Sequence, residues 1–485
     1  MICIPIAPES HTLARADLYN AEPQCDVVEI RLDCLHKTPN VAKLIEGRRK
    51  PVMISCRRQE DGGSWNRDEQ ERVTVLRQAI ADGPEFVDID VDIAAKIPRY
   101  GPTMRIVSFM HSQGPLPDLK TIYQRACDAD ADMVRFTAPT PTLEAAWPLL
   151  LALNFKGKAP VIVSGTGNAG LTLALTSCKL GSPFIYAALE RGMEVQEGQI
   201  SVRELEETYR WRDISQKTHL VAVMGFETPQ IKTVRALNAA FAHTHLNIRC
   251  LPVETQLLER MMQMLEKLHI KAALLDPKNR ETMLRLADHI EKSAEISQQA
   301  DMLLKSDKGW TAYSTLWRSA LKSLEAILGP ARSDQKPLDH RNVLVVGANS
   351  TARAAIYASK RRDTILSITA GDDKRAQLLS QLFNLRHVPT ANLFTTLCDV
   401  IISTESDFEK GRKTKLPASF LRESMAVMDL DGMPEDTPFI KEARSRYCKV
   451  VEPVNICVEQ LASQFTAISG QPAPLEVLET ALKAE

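Results

Sequence analysis

Five residues near the C-terminal ends of strand-like runs can carry charge: Glu29, Arg31, Arg57, Asp90 and Arg135. Carboxylates there can move protons, and guanidiniums can anchor a carboxylate or phosphate through paired hydrogen bonds. Two readings fit the cluster: the rim of an active site, or a satisfied polar layer inside a packed interior. A second group, Gly347, Asn349 and Ser350 in LVVGANSTA, sits where a strand turns through glycine into a helix. That pattern opens a dinucleotide-binding βαβ unit. His243 and His245 form an HxH on a polar connection without acidic or cysteine neighbours, which reads as a surface pair, so no metal site is expected. MMQML at 261–265 reads as helix core.

The elements that must position these residues follow from hydrophobic periodicity. Residues 1–212 contain eight strand-like runs, MICIPIA, VVEIRLD, PVMISC, FVDIDVD, RIVSF, DMVRFT, PVIVSG and FIYAAL, separated by amphipathic helical stretches. Such alternation predicts a (β/α)8 barrel whose active site forms at the C-terminal strand ends. Residues 218–330 alternate again, through HLVAVMG, HLNIRCLPV and IKAALL. The linker GPARSDQKPLDHR then leads into a Rossmann-type segment over 331–452, with DVIIST and AVMDLDG as later strands. Residues 453–485 read as helices expected to pack back on 218–330. The expected class is therefore α/β throughout.

Composition narrows the function. With 60 basic and 61 acidic residues the net charge is −1, so no basic face for nucleic acid or an anionic membrane surface is expected. Ten scattered cysteines, none in a CxxC pair, read as reduced thiols. The N-terminal segment lacks a basic region followed by a long apolar stretch, and a cytoplasmic location is expected. Glycine is 21 of 485 residues, roughly 4% where about 7% is usual. The shortage reaches positions 349 and 352, inside the turn that would cradle phosphate.

VEIRLD at 28–33, RRQEDGG at 57–63 and EGQIS at 197–201 together resemble type I 3-dehydroquinate dehydratase over residues 1–212. In that family a strand-end lysine forms an imine with the substrate ketone, and a histidine supported by a glutamate shuttles the proton. The resemblance places Arg135 at the lysine position, His111 nearest the histidine and Asp61 at the glutamate. It makes Glu29, Arg31, Arg57 and Gln199 substrate-binding residues. The carboxylate-binding arginine falls on Ala174, and a serine near the closing loop on Val195. A guanidinium stays protonated and is a very poor imine former.

Residues 218–485 resemble shikimate dehydrogenase through GFETPQIKTVRALNAAF, LVVGANSTA and CVEQLASQFTAISGQPAP. This resemblance implies Lys278 as catalytic lysine, Thr233 and Gln460 as substrate residues, and Gly347, Asn349 and Ser350 as cofactor contacts. Its partner aspartate falls on Tyr313, with Thr311 two residues before, the paired carboxylate-binding serines on Ile231 and Thr233, and another substrate asparagine on Asp301. NADP is the implied cofactor, weakened or lost because Asn349 replaces a loop glycine and Asp372 and Asp373 stand where a 2′-phosphate would need an arginine.

The resemblance thus implies a bifunctional dehydratase–dehydrogenase lineage of the shikimate pathway. Its ligand would be a small molecule of the 3-dehydroquinate or shikimate type. Three functions stay open: residual pathway activity, binding of a ligand or protein partner without turnover, or oxidation–reduction of another small acid. Replacements at two independent sites fit relaxed constraint on both better than one altered specificity, so normal catalysis is not expected, and a non-catalytic binder or an oxidoreductase on another small acid is the alternative.

Overall fold

The computed structural model describes residues 1–329, 335–405, 416 and 418–484, so the start of the linker at 330–334 lies outside the described residues. The chain divides into two compact units, Met1–Thr218 with Leu251–Leu268, and His219–Cys250 with His269–Glu485. Within the first unit, the Thr172 hydroxyl donates to the Pro252 carbonyl (2.6 Å) and Leu143 N–H to the Glu254 carbonyl (2.8 Å).

The first unit holds eight parallel strands: β1 (Ile2–Ile6), β2 (Val27–Arg31), β3 (Val52–Ser55), β4 (Phe86–Asp90), β5 (Met104–Met110), β6 (Met133–Pro139), β7 (Val161–Thr166) and β8 (Ile185–Tyr186). Their order, β7-β6-β5-β4-β3-β2-β1-β8, is that of the expected barrel. The FIYAAL run yields only two strand residues, because Ala188 turns away to pair with Ser201.

Side chains alternate across each strand, and the inward faces form layers. Val27, Met53, Phe86, Ile106, Met133 and Ile162 belong to one buried apolar cluster. Two residues further along the same strands come Glu29, Ser55, Asp88, Ser108, Arg135 and Ser164. One strand period therefore converts a hydrophobic floor into a polar layer.

A second sheet holds β9 (His219–Met224), β10 (Ile248–Val253, of which Leu251–Val253 count with the first unit), β11 (Ile270–Leu274), β12 (His289–Ile290), β13 (Met302–Ser306) and β14 (Gly309–Tyr313), ordered β10-β9-β11-β13-β14-β12. The β13–β14 hairpin is antiparallel, a feature that helix–strand alternation did not predict. A third sheet is wholly parallel: β15 (Asn342–Val346), β16 (Ile365–Thr369), β17 (Arg386–His387), β18 (Val400–Ser403), β19 (Ala426–Asp429) and β20 (Lys449–Val450). Its order, β17-β16-β15-β18-β19-β20, reverses direction between β15 and β18, the place where open α/β sheets form a ligand crevice. Two helices close the chain, Pro453–Ser469 and Leu475–Lys483, and Phe465 of the first stacks on Phe241 at 4.9 Å. Among the described residues no helix is long and apolar enough to cross a membrane.

Asp301 precedes β13 and is 1% exposed. Its carboxylate accepts from Thr315 N–H and Leu316 N–H, both at 2.8 Å, and from the Thr315 hydroxyl at 2.7 Å. It thereby caps the helix Leu316–Leu328 from a distant strand. Asp301→Ala is expected to destabilise the second unit by about 2 kcal/mol, the upper end for a lost cap, and Asp301→Asn by less, as read in denaturant titrations. Equal stability of all three chains would contradict the capping role.

Candidate functional site

The polar layer of the barrel is an ion cluster. Arg57 approaches Glu29 at 2.9 Å and Asp88 at 3.5 Å, while Arg135 lies 3.0 Å from Asp88 and 3.4 Å from Glu29. The Ser55 hydroxyl donates to Glu29 at 2.6 Å. The Arg135 guanidinium also lies over the Tyr186 ring, 3.8 Å from its centroid, a cation–π contact in a desolvated setting. Arg135 is 1% exposed and points into the barrel interior. Burial disfavours its charge, yet Tyr186, Glu29 and Asp88 hold its pKa above the usual guanidinium value. Burial likewise opposes ionisation of Glu29, but Arg57, Arg135, Arg31 and the Ser55 hydrogen bond outweigh it and bring its pKa down to about 2.

The flanking cations are paired as well. Arg31 makes a two-pronged contact with Asp33 at 3.0 and 2.7 Å, and Asp33 also accepts from Arg57 N–H and Ser64 N–H. Asp90 meets Arg72 at 2.6 Å. Burial raises the Asp90 carboxyl to about 6, Arg72 countering and Asp88 adding to the effect. Hence Glu29, Arg31, Arg57, Asp90 and Arg135 do converge. Asp88, Asp33, Arg72 and Tyr186 complete the cluster and were not singled out from sequence. Asp88 shares a face with Asp90 at a spacing of two, so strand phase was the available signal.

The remaining barrel residues have hydrogen-bond partners of their own. The His111 ring Nε2 pairs with the Gly114 carbonyl at 2.9 Å, whereas Asp61 accepts from Arg58 Nε at 2.7 Å, so the two are not hydrogen-bonded to each other. The Gln199 side-chain oxygen accepts from Val195 N–H (2.9 Å) and Gln196 N–H (3.3 Å). Ala174 lies on the helix Ala169–Lys179. None of the eight barrel strands contains a lysine. Lys156 and Lys158 are exposed in the loop before β7, at the N-terminal strand ends. Arg135 Nε, Thr137 Oγ1 and Gln199 Nε2 are among the buried polar atoms without a hydrogen-bond partner in the protein. Thr137 faces inward two residues beyond Arg135.

In the second unit, Lys278 is 81% exposed and lies 3.6 Å from Glu227. Thr233 and Gln460 are half-buried on the helices Thr228–His243 and Pro453–Ser469, and Tyr313 lies on β14 opposite Met302. At the crevice, Gly347 has φ +120°, and a Cβ there would collide with the Thr404 hydroxyl. Asn349 caps the helix Ser350–Lys360 by accepting from Ala352 N–H (2.9 Å) and donates to the Thr404 carbonyl (2.6 Å). The Ser350 hydroxyl donates to the Pro277 carbonyl at 2.6 Å, and Arg280 donates to the Thr351 hydroxyl at 3.2 Å. Asp372 caps the following helix through Arg375 N–H (3.2 Å), and Asp373 meets His387 at 2.9 Å.

The first unit is a (β/α)8 domain with polar strand ends, and residues 2–216 match the family model of type I 3-dehydroquinase. The bifunctional 3-dehydroquinate dehydratase/shikimate dehydrogenase of Arabidopsis thaliana, a chloroplastic protein, is 23% identical over 98% of this chain and 83% of its own length. A shikimate dehydrogenase (NADP(+)) of Syntrophobacter fumaroxidans is 24% identical over 53% of this chain and 90% of its own. A crystal structure of shikimate dehydrogenase from Aquifex aeolicus shares the fold of the second part, with a TM-score of 0.50 and 20% identity, covering 55% of this chain and 98% of that one. Over nearly its whole length the chain is thus similar to the bifunctional 3-dehydroquinate dehydratase/shikimate dehydrogenases.

Two outcomes follow from the ion cluster. Arg135→Met leaves Glu29 and Asp88 undercompensated and is expected to cost about 3–5 kcal/mol, with Asp88→Asn in the same chain restoring part of it. A double-mutant cycle in urea measures the coupling, and strict additivity would contradict it. Because the Glu29 pKa is lower folded (about 2) than its ordinary 4.5, its stabilisation is complete above 4.5 and lost as pH falls towards 2. An acid titration of the wild type should unfold through that window, and Glu29→Gln should flatten its slope.

Proposed function

We propose that this homologue of the bifunctional family does not perform the dehydratase's imine chemistry and acts as a binding protein for a small hydroxylated ligand. The observation that carries this is Arg135, seated between Glu29 and Asp88 and against Tyr186 in the centre of the barrel. Imine formation requires a neutral amine that attacks a ketone and expels water. A guanidinium remains protonated, and the barrel strands supply no lysine in its place. Each inward arginine has a carboxylate of the protein's own, so none is left as a free anchor for a substrate acid.

The unpartnered Thr137 Oγ1, Arg135 Nε and Gln199 Nε2 support the binding half of this reading. Buried polar atoms without partners are costly unless water or a ligand completes them. Hydroxyl groups suit all three, because a hydroxyl both donates and accepts. In the second half, the 81% exposure of Lys278, and the hold of Glu405 on Ala348 N–H and of Asn349 on the Thr404 carbonyl, support a reading without dinucleotide turnover.

Borohydride treatment in the presence of 3-dehydroquinate tests the proposal. A protonated imine would be reduced to a stable secondary amine and raise the protein mass. The expected result is an unchanged intact mass; an adduct mapped to any lysine of residues 1–218 would overturn the dehydratase part.

A further inference from the structure

Glu405 follows β18, across the switch point from β15. Its carboxylate accepts from Ala348 N–H at 3.0 Å, in the turn after β15, and from Gly371 N–H at 3.4 Å, in the turn after β16. Two backbone N–H groups from neighbouring strand ends converge on one point at the carboxyl edge of a parallel sheet. That arrangement suits an oxyanion, and a side chain from a third strand end already fills it.

The neighbours keep the carboxylate seated. Asn349 donates to the Thr404 carbonyl, tying the loop after β15 to the segment that carries Glu405. Gly347 has no side chain, and a Cβ there would strike the Thr404 hydroxyl and the Glu405 stem. The glycine therefore lets the β18 end approach the β15 turn, which accounts for its presence without any bound phosphate.

We propose that Glu405 is an internal occupant of this cradle, which excludes dinucleotides by holding the two N–H donors and setting a negative charge where phosphates would lie. Removing the carboxylate should open a site for a pyrophosphate-type anion. The inference builds on the absence of dinucleotide turnover proposed for this half, but its readout is binding and does not depend on catalysis.

The test is calorimetric titration of the full chain with NADP and, separately, with inorganic pyrophosphate. Wild type is expected to bind neither in the micromolar range, and Glu405→Ala to bind at least one of them about tenfold or more tighter than wild type. Glu405→Gln removes the charge at nearly constant volume and decides the question if the alanine variant melts early in circular dichroism. Wild type binding NADP as tightly as the folded variants would overturn the inference, as would folded variants that bind neither probe. A wild type that dehydrated 3-dehydroquinate, a reaction that uses no dinucleotide, would overturn the proposed function alone and leave this inference standing.

Discussion

Two carboxylates and two guanidiniums share the middle of the barrel, each almost completely removed from water. Charges so placed are tolerable only while each keeps its partners, because desolvation of a lone ion costs several kcal/mol. Glu29, Ser55 and Arg57, Asp88 and Arg135 come from β2, from β3 and its end, from β4 and from β6 of one barrel, so satisfying the cluster also holds these strands together. Beneath it the same strand faces are apolar, and above it Arg31–Asp33 and Arg72–Asp90 are closed pairs. The chemistry open to the barrel follows from this neutralisation. On the proposed reading, a site whose cations are all matched internally recognises hydroxyl groups more readily than acids.

The second unit repeats the principle with backbone donors. Asp301 turns its carboxylate onto the first N–H groups of a helix, and Glu405 turns its own onto two strand-end turns. Both acids stand near positions where a substrate or cofactor anion would be sought in a dehydrogenase-like fold. The carboxylates supply locally what an anionic ligand would otherwise bring. On the proposed reading, internal pairing in each half takes the place of an anionic ligand.

Much of this was legible in the residues because strands announce themselves by alternation. All eight barrel strands and the turn at Gly347 fall where periodicity predicts them, and Arg135 lies on an inward face. Asp88 was passed over although it shares the phase of Asp90, since attention to strand ends hides the residue one period below. The β13–β14 hairpin escaped because alternation of helices and strands implies parallel neighbours, and this pair follows without a helix between. Glu405 lies 57 residues from Ala348, and a contact of that separation is set by sheet order, which no local pattern encodes.

The central claim is that the barrel's charges are committed to one another and leave no group to activate a ketone. Elimination of water from 3-dehydroquinate would create a conjugated carbonyl with strong ultraviolet absorbance. With purified full-length protein the account predicts an absorbance rise no faster than in buffer alone. A rise proportional to protein concentration and saturating with substrate would contradict it.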